Sequence, residues 1–215
     1  MKVAVFAGTY VDTKMGSDLL EKNNFETILY PISKNPKEQS KLQFYSVEEL
    51  TNIVKEKIED ARENGAEKIF IYCNSLSVAI DLKYLRESTG MEIITPIDVY
   101  KNLDDKYKNI AIIAANSKSA FKIDQILCEE EFRNIVAIGN LTLVEAIEDK
   151  LNPEEIVKLL ALDKLAHYFN EIKREKLDLI ILGCTHFPYI KEELEKLTDI
   201  KILDPAAEMI KMLGE

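Results

Sequence analysis

Cysteine is scarce in this chain, and the three it has, Cys73, Cys128 and Cys184, stand far apart among 215 residues. Such spacing is no disulfide framework, and no C-x-x-C or H-x-x-x-H pair accompanies it as a structural zinc site would require. Reduced thiols in a cytoplasmic protein are the expectation. Basic residues are also short: 28 Lys and Arg face 38 Asp and Glu, and the resulting net charge of −10 disfavours nucleic acid as a partner, because polyanions need a basic footprint. No apolar run approaches the roughly 20 residues that span a bilayer, so no membrane association is expected. Met1-Lys2 passes directly into Val3-Ala4-Val5-Phe6, too short for the core of a signal peptide. Low-complexity segments and flexible linkers are missing as well. What remains is an ordinary globular composition, 47% hydrophobic and 31% charged, long enough to bury a core without disulfide or metal.

Strand-like and helix-like segments alternate along the chain. Residues 3–7 and 25–30 read as strands. Ser46-Val47-Glu48-Glu49 is a capping box, opening a helix with Val47, Leu50, Ile53, Val54, Ile58 and Ala61 on one face. Asn64-Gly65 stops it, glycine accepting the left-handed conformation of a helix end. A strand to Tyr72 follows, then a helix expected over 75–87 and a strand at 92–95 ending at Pro96. The pattern then restarts. Strands are expected at 109–115, 134–138, 179–182 and 201–203. Asn152-Pro153-Glu154-Glu155 starts a long helix expected to reach about Glu175. Further helices follow Pro188 and the Asp204-Pro205 pair.

Two offsets relate the halves. Lys2-Val3-Ala4-Val5-Phe6-Ala7-Gly8 resembles Asn109-Ile110-Ala111-Ile112-Ile113-Ala114-Ala115, 107 positions on. Ile69-Phe70-Ile71-Tyr72 ends in Cys73-Asn74-Ser75, and Leu179-Ile180-Ile181-Leu182 ends in Gly183-Cys184-Thr185-His186-Phe187-Pro188, with 111 positions between the cysteines. This predicts an α/β fold built from a duplicated unit, each half a parallel sheet between helices. The first domain is expected at 1–95 plus 205–215, carrying Cys73, and the second at 96–204, carrying Cys184, with a seam near Thr95-Pro96. Ligands in such sheets bind beyond the carboxyl ends of the strands, where both cysteines sit.

A cysteine opening a helix meets unpaired N–H groups and a dipole that favour its thiolate, and the same donors suit a small carboxylate. Two such sites would hold one substrate between two thiols. Racemisation asks for this: one group removes the α-proton from one face, and another returns a proton to the opposite face. Cys128, within Ile126-Leu127-Cys128 on a helix, reads as packing. Two other readings compete. Cys73, Cys184 and His186 could surround zinc, and Cys184 with His186 as base could form a nucleophilic hydrolase, although this leaves Cys73 without a role.

These residues resemble the cofactor-independent aspartate/glutamate racemase superfamily. Gly183 to Pro188 is similar to the second-cysteine signature of glutamate racemases, and Cys73-Asn74-Ser75 resembles the first, usually Cys-Asn-Thr. The histidine form of the second motif is similar to that of glutamate racemases, whereas aspartate racemases more often carry glutamate at that place. The resemblance implies two pseudo-symmetric α/β domains with the active site in the cleft between them. It implies no cofactor and no metal, a small amino-acid substrate, and a second copy of the chain as a candidate partner. Cys73 and Cys184 would be the acid/base pair. Asp12-Thr13-Lys14-Met15-Gly16-Ser17 looks like a degraded version of an early glycine-rich loop, Asp-Ser-Gly-x-Gly-Gly, so Asp12 would assist Cys73 and Thr13 would bind substrate. Leu143-Val144-Glu145-Ala146-Ile147-Glu148 resembles the segment whose glutamate lies near the second cysteine, pairing Glu148 with His186. Asn74, Ser75, Ser117 and Thr185 would hold the substrate, with Asn116 an alternative to Ser117.

One departure is visible. The Pro-Tyr-Gly of glutamate racemases has no copy here; Tyr30-Pro31-Ile32-Ser33 and Asn35-Pro36-Lys37-Glu38 are the nearest stretches. The implied reaction is 1,1-proton transfer at the α-carbon of glutamate or aspartate. The alternatives are a related hydantoin racemase, maleate isomerase or decarboxylase-like enzyme, or a binding protein that has lost activity.

Overall fold

The computed structural model describes residues 1–34, 38, 42–172 and 174–214. It divides into two units, Met1–Asp98 with Ala206–Glu215, and Val99–Pro205. Unit one holds strands β1 (Lys2–Ala7), β2 (Glu26–Pro31), β3 (Lys68–Ile71) and β4 (Glu92–Ile94), all parallel, in the order β2-β1-β3-β4. Unit two holds β5 (Asn109–Ala114), β6 (Asn134–Gly139), β7 (Leu179–Gly183) and β8 (Lys201–Leu203), parallel, in the order β6-β5-β7-β8. The two orders are the same, as duplication requires.

The strand sequences explain their places. The inner strands β1, β3, β5 and β7 are buried on both faces and read as unbroken apolar runs, as central parallel strands must. The outer strands β2 and β6 are mostly half-buried or exposed and mix polar with apolar residues. In each sheet the strand order reverses between two inner strands, β1 and β3 in one and β5 and β7 in the other. At such a reversal the connecting helices leave to opposite faces, opening a crevice at the carboxyl ends of the strands.

Helices in unit one are α1 (Tyr10–Glu21), α2 (Val47–Glu63), α3 (Asn74–Ser77) and α4 (Leu82–Thr89). The capping box at Ser46 is present, with Glu49 N–H donating to Ser46 Oγ and Ser46 N–H to Glu49. Leu50, Val54, Ile58 and Ala61 of α2 enter the first core, and Gly65 ends the helix at φ +85°. The expected single helix over 75–87 is two. Asp81 accepts the N–H of Tyr84 and caps a new start, so α3 is one turn long.

After β4 comes α5 (Pro96–Lys101), which the sequence reading ended at a strand without assigning. Its start is capped as well, with Thr95 N–H and Oγ both donating to Asp98 at 2.8 Å. Arg86 grips the same carboxylate with two 2.8 Å bonds. The boundary between units falls inside α5, at Asp98/Val99 rather than at Thr95/Pro96, and the return boundary at Pro205/Ala206.

Unit two continues with α6 (Ser117–Leu127), α7 (Leu141–Glu148), α8 (Pro153–Leu159), α9 (Leu162–Glu171), a 3₁₀ turn (Phe187–Ile190) and α10 (Lys191–Glu195), before α11 (Pro205–Leu213). Asn152 caps α8 as its sequence implies. The long helix expected over 152–175 is broken between α8 and α9 by Ala161 at φ +52°. The core explains the break. Ile156, Leu162 and Phe169 are all buried, but six residues advance a straight helix by about 600°, which would turn Leu162 away from the face of Ile156. The left-handed residue restores the phase. Among the described residues no helix is long and apolar enough to cross a membrane.

Candidate active site

In unit one, Tyr72 N–H donates to Phe6 O at 2.7 Å, so β3 stays in register with β1 one residue beyond their paired ends. Cys73 therefore emerges beside the turn after Ala7. It is the N-cap of α3, 4% exposed, with Sγ 3.3 Å from the hydroxyl of Ser75. Asn74 is buried on the first turn of α3, and Ser77 donates its hydroxyl to Cys73 O. Ser75 thus meets the thiol and Ser77 the carbonyl behind it, while Cys73 itself joins the core of its unit.

The Asp12 stretch is not a loop. Residues 12–17 lie within α1, and Asp12, Thr13, Gly16 and Ser17 are all buried. The turn between β1 and α1 is the short Gly8-Thr9, and Asp12 reaches back over it. One carboxylate oxygen accepts Thr9 N–H at 2.6 Å and Thr9 Oγ at 2.7 Å; the other accepts Gly8 N–H at 3.0 Å. Asp12 thereby fills the amide donors at the start of α1 and fixes the turn beside Cys73. The Thr13 hydroxyl donates to Thr9 O at 2.6 Å, and the residue is fully buried. Its proton is committed to its own helix rather than held out to a ligand.

Of the two stretches nearest to Pro-Tyr-Gly, one is legible. Tyr30 stacks on Phe6 and donates to Asp60, so its ring belongs to the core. Ser33 donates both its N–H and its hydroxyl to Gly8 O, bracing the same turn from the far side. Asn35, Pro36 and Lys37 lie outside the described residues.

In unit two, Ala114 pairs with Gly183, so Cys184 leaves β7 next to the turn that follows β5. Cys184 is 7% exposed and His186 3%. Sγ of Cys184 stands 3.6 Å from Nδ1 of His186, and Nε2 of the same ring stands 3.3 Å from Oε1 of Glu148, the last residue of α7. A thiol, an imidazole and a carboxylate therefore form a chain. With its proton on Nε2, held toward Glu148, the ring turns the Nδ1 lone pair to the thiol. Thr185 is buried between Cys184 and His186 in sequence. The 3₁₀ turn then begins with Phe187, fully buried, and Pro188, which fix the strand exit.

The turn after β5 carries Asn116 and Ser117. Asn116 caps α6 through Oδ1, which accepts Ser119 N–H at 2.9 Å, so that oxygen is occupied. Ser117 is exposed on the first turn. Of the two, Ser117 has its hydroxyl available. Cys128 ends α6, half-buried, with Sγ 3.6 Å from Asp124 Oδ1, and takes no part in this arrangement.

One residue near the thiol had no signal in the sequence. Tyr100, on α5, is 1% exposed, and burial, followed by the charges of Asp204 and Cys184, holds its phenol well above the usual range. It stays a neutral hydroxyl beside the thiol. Gly8 and Thr9 were likewise missed, because no side-chain chemistry marks a two-residue turn. Among the described residues no group of three His, Cys, Asp or Glu side chains could hold a metal ion.

The chain is similar to known proteins. The family described as Asp/Glu/Hydantoin racemase matches residues 46–213, a span that includes both cysteines. A glutamate racemase of Fusobacterium nucleatum is 30% identical over 154 residues, covering 69% of this chain and 56% of that protein. One from Clostridium botulinum is 33% identical over 168 residues, covering 74% and 62%. The chain thus spans little more than half the length of these curated relatives. The solved glutamate racemase of Campylobacter jejuni has the same fold, with a TM-score of 0.72 at 23% identity, over 100% of this chain and 85% of that one.

Proposed function

We propose, given that the chain belongs to the Asp/Glu/Hydantoin racemase family, that it interconverts the L and D forms of a small acidic amino acid, glutamate or aspartate. The observation that carries this is the placing of Cys73 and Cys184 at corresponding strand ends, each at the strand-order reversal of one of two sheets with the same topology. One thiol alone would serve a hydrolase or a decarboxylase. Two equivalent thiols suit proton transfer to either face of one carbon.

In the forward direction the thiolate of Cys73 takes the α-proton, the electron pair passes into the substrate carboxylate as an enediolate-like carbanion, and the thiol of Cys184 supplies a proton on the opposite face. The reverse reaction exchanges the roles. Both transfers use side chains of the chain itself. His186, oriented by Glu148, accepts the Cys184 proton when that thiol must act as base and returns it when it must act as acid, the match of basicities that efficient proton transfer needs. Asp12 shapes the turn beside Cys73. Asn74, Ser75, Ser117 and Thr185 supply hydrogen bonds to the substrate's carboxylate and ammonium groups, and Thr13 supports α1 behind them. The chemistry requires thiols, and none of the three cysteines is in a disulfide. A reducing cytoplasm meets that requirement.

Incubation in heavy water with each enantiomer of glutamate and aspartate tests the reading. Loss of optical rotation together with α-deuterium is expected with at least one pair, and no exchange with any of the four defeats it. Cys73→Ala and Cys184→Ala should each abolish racemisation, whereas normal turnover in either would defeat the two-thiol mechanism.

A further inference from the structure

Gly139 ends β6 and pairs with Ala114 at the end of β5. Asn140 N–H donates to Ala114 O at 2.9 Å, so the two strands stay together past that pair. The chain leaving β5 then turns through Asn116 into α6, and in doing so it passes directly over Gly139. A Cβ on Gly139 would lie 2.1 Å from Ser117 N, 2.2 Å from Asn116 C and 2.8 Å from Asn116 Cα. The backbone of Gly139 is not in the left-handed region, so glycine is required here by space alone.

The neighbours are main-chain atoms, which sets this position apart from the other close glycines. At Gly183 the nearest atom is the tip of the Ile123 side chain, and at Gly16 it is the Tyr72 side chain. The Ile123 tip has rotamers to change, and the Tyr72 atoms, Cβ among them, press less closely, at 2.9 Å. At Gly139 the peptide Asn116–Ser117 itself must move, by more than 1 Å, to regain ordinary contact at about 3.4 Å. The body of α6 cannot follow, because Ala120, Ile123 and Leu127 anchor it in the core. Only the first turn can lift, taking the exposed Ser117 with it and straining the Asn116 cap.

We infer that Gly139 is a positioning residue for the substrate: by letting β6 run against the Asn116–Ser117 peptide, it sets where the Ser117 hydroxyl stands at the carboxyl end of β5. This rests on the racemase reading above. Gly139 touches no reacting atom. It acts through Ser117, while the Cys184, His186 and Glu148 chain lies on other elements and is left in place. A misplacement of about 1 Å in a substrate-positioning group costs on the order of 10- to 100-fold in rate at low substrate.

The test compares Gly139→Ala with Gly90→Ala and Gly65→Ala, following racemisation of the substrate found active, its pH–rate profile, and thermal stability. Gly65 and Gly90 have positive φ and nothing within 4 Å of an added Cβ, so these variants lose stability through backbone strain alone. Gly139→Ala should raise KM about 10- to 100-fold with kcat and the pH–rate profile nearly unchanged, while the two controls keep wild-type KM. A KM in Gly139→Ala no higher than in the controls, or a kcat loss with a displaced pH profile, overturns the inference and leaves the racemase reading standing. A wild-type chain that exchanges no α-proton overturns both. Should Gly139→Ala fail to fold, Ser117→Ala decides, since it removes the positioned hydroxyl without touching β6: an unchanged KM there overturns the inference, and a raised KM supports it.

Discussion

His186 faces Cys184 with one ring nitrogen, Nδ1 lying 3.6 Å from Sγ, and gives its other face to a carboxylate, Nε2 lying 3.3 Å from Oε1 of Glu148. Both His186 and Cys184 are almost fully buried. The order of groups matters. A carboxylate behind an imidazole selects the tautomer and holds the ring plane, leaving the near nitrogen as the acceptor for the thiol proton.

That order predicts graded losses. His186→Asn removes the proton acceptor and should lower kcat/KM about 10²- to 10⁴-fold, the usual contribution of a positioned acid/base group. Glu148→Gln keeps the shape but not the charge and should cost less, roughly 10- to 100-fold. Because L and D enantiomers have equal free energy in water, kcat/KM must fall by the same factor in both directions. Polarimetry started from each enantiomer measures this. Near-normal turnover in His186→Asn would remove the histidine from the mechanism.

Asp12 is expected to matter for stability as well as activity. Its carboxylate accepts three hydrogen bonds, from Gly8 N–H, Thr9 N–H and Thr9 Oγ, in a buried setting. Asp12→Ala leaves two buried amide donors without an acceptor and removes the cap of α1, at a cost of about 2–4 kcal/mol. Urea denaturation gives the value. A variant that loses activity with unchanged stability would show that Asp12 acts on the chemistry and not on the turn.

How far the sequence reached depends on what kind of signal each feature left. The alternation of apolar runs and capped helices gave both sheets, because central parallel strands need unbroken apolar sequence and helix starts need particular side chains. Ser46-Glu49 and Asn152-Pro153 were readable for that reason. Cys184, His186 and Glu148 were brought to one place by motif resemblance, and no pattern of spacing would have found Glu148, 36 positions before Cys184. The break at Ala161 was not readable, since alanine carries no stop signal and only the core phase demands it. Asp12, expected in a loop, lies on a helix: a carboxylate can reach the same amides from either, and the sequence does not distinguish the two. Gly139 was passed over because its role lies in what presses on it.

Tyr100 predicts an alkaline limit. Burial, with the charges of Asp204 and Cys184 beside it, raises its phenol well above its unperturbed value of 10.0. The folded chain therefore holds a proton that the unfolded chain releases. Stability from this group is fully present below pH 10.0 and is lost as pH rises from there through the folded value. Tyr100→Phe should flatten that decline. Denaturation midpoints measured between neutral and strongly alkaline pH would show it, and tyrosinate absorbance should find one phenol fewer that ionises only on unfolding. Parallel declines in the two proteins would mean that Tyr100 titrates normally.

Arg133 has the largest predicted effect on stability. It is 8% exposed, and its guanidinium serves three carbonyls and one carboxylate: Nε donates to Tyr107 O at 3.1 Å, Nη1 to Leu127 O, and Nη2 to Leu103 O at 3.3 Å and to Asp105 Oδ1 at 3.1 Å. One side chain thus ties the segment between α5 and β5 to the end of α6. Arg133→Met leaves those acceptors to find other partners, and the expected loss is about 3–5 kcal/mol, the range for breaking a buried charged network. Arg133→Lys is not a rescue. An ammonium has no planar fork and cannot reach carbonyls in three directions at once, so it should restore less than half of the loss. Urea midpoints of the two variants decide the point. If the lysine variant equals the wild type, the network is a charge effect and its geometry is immaterial.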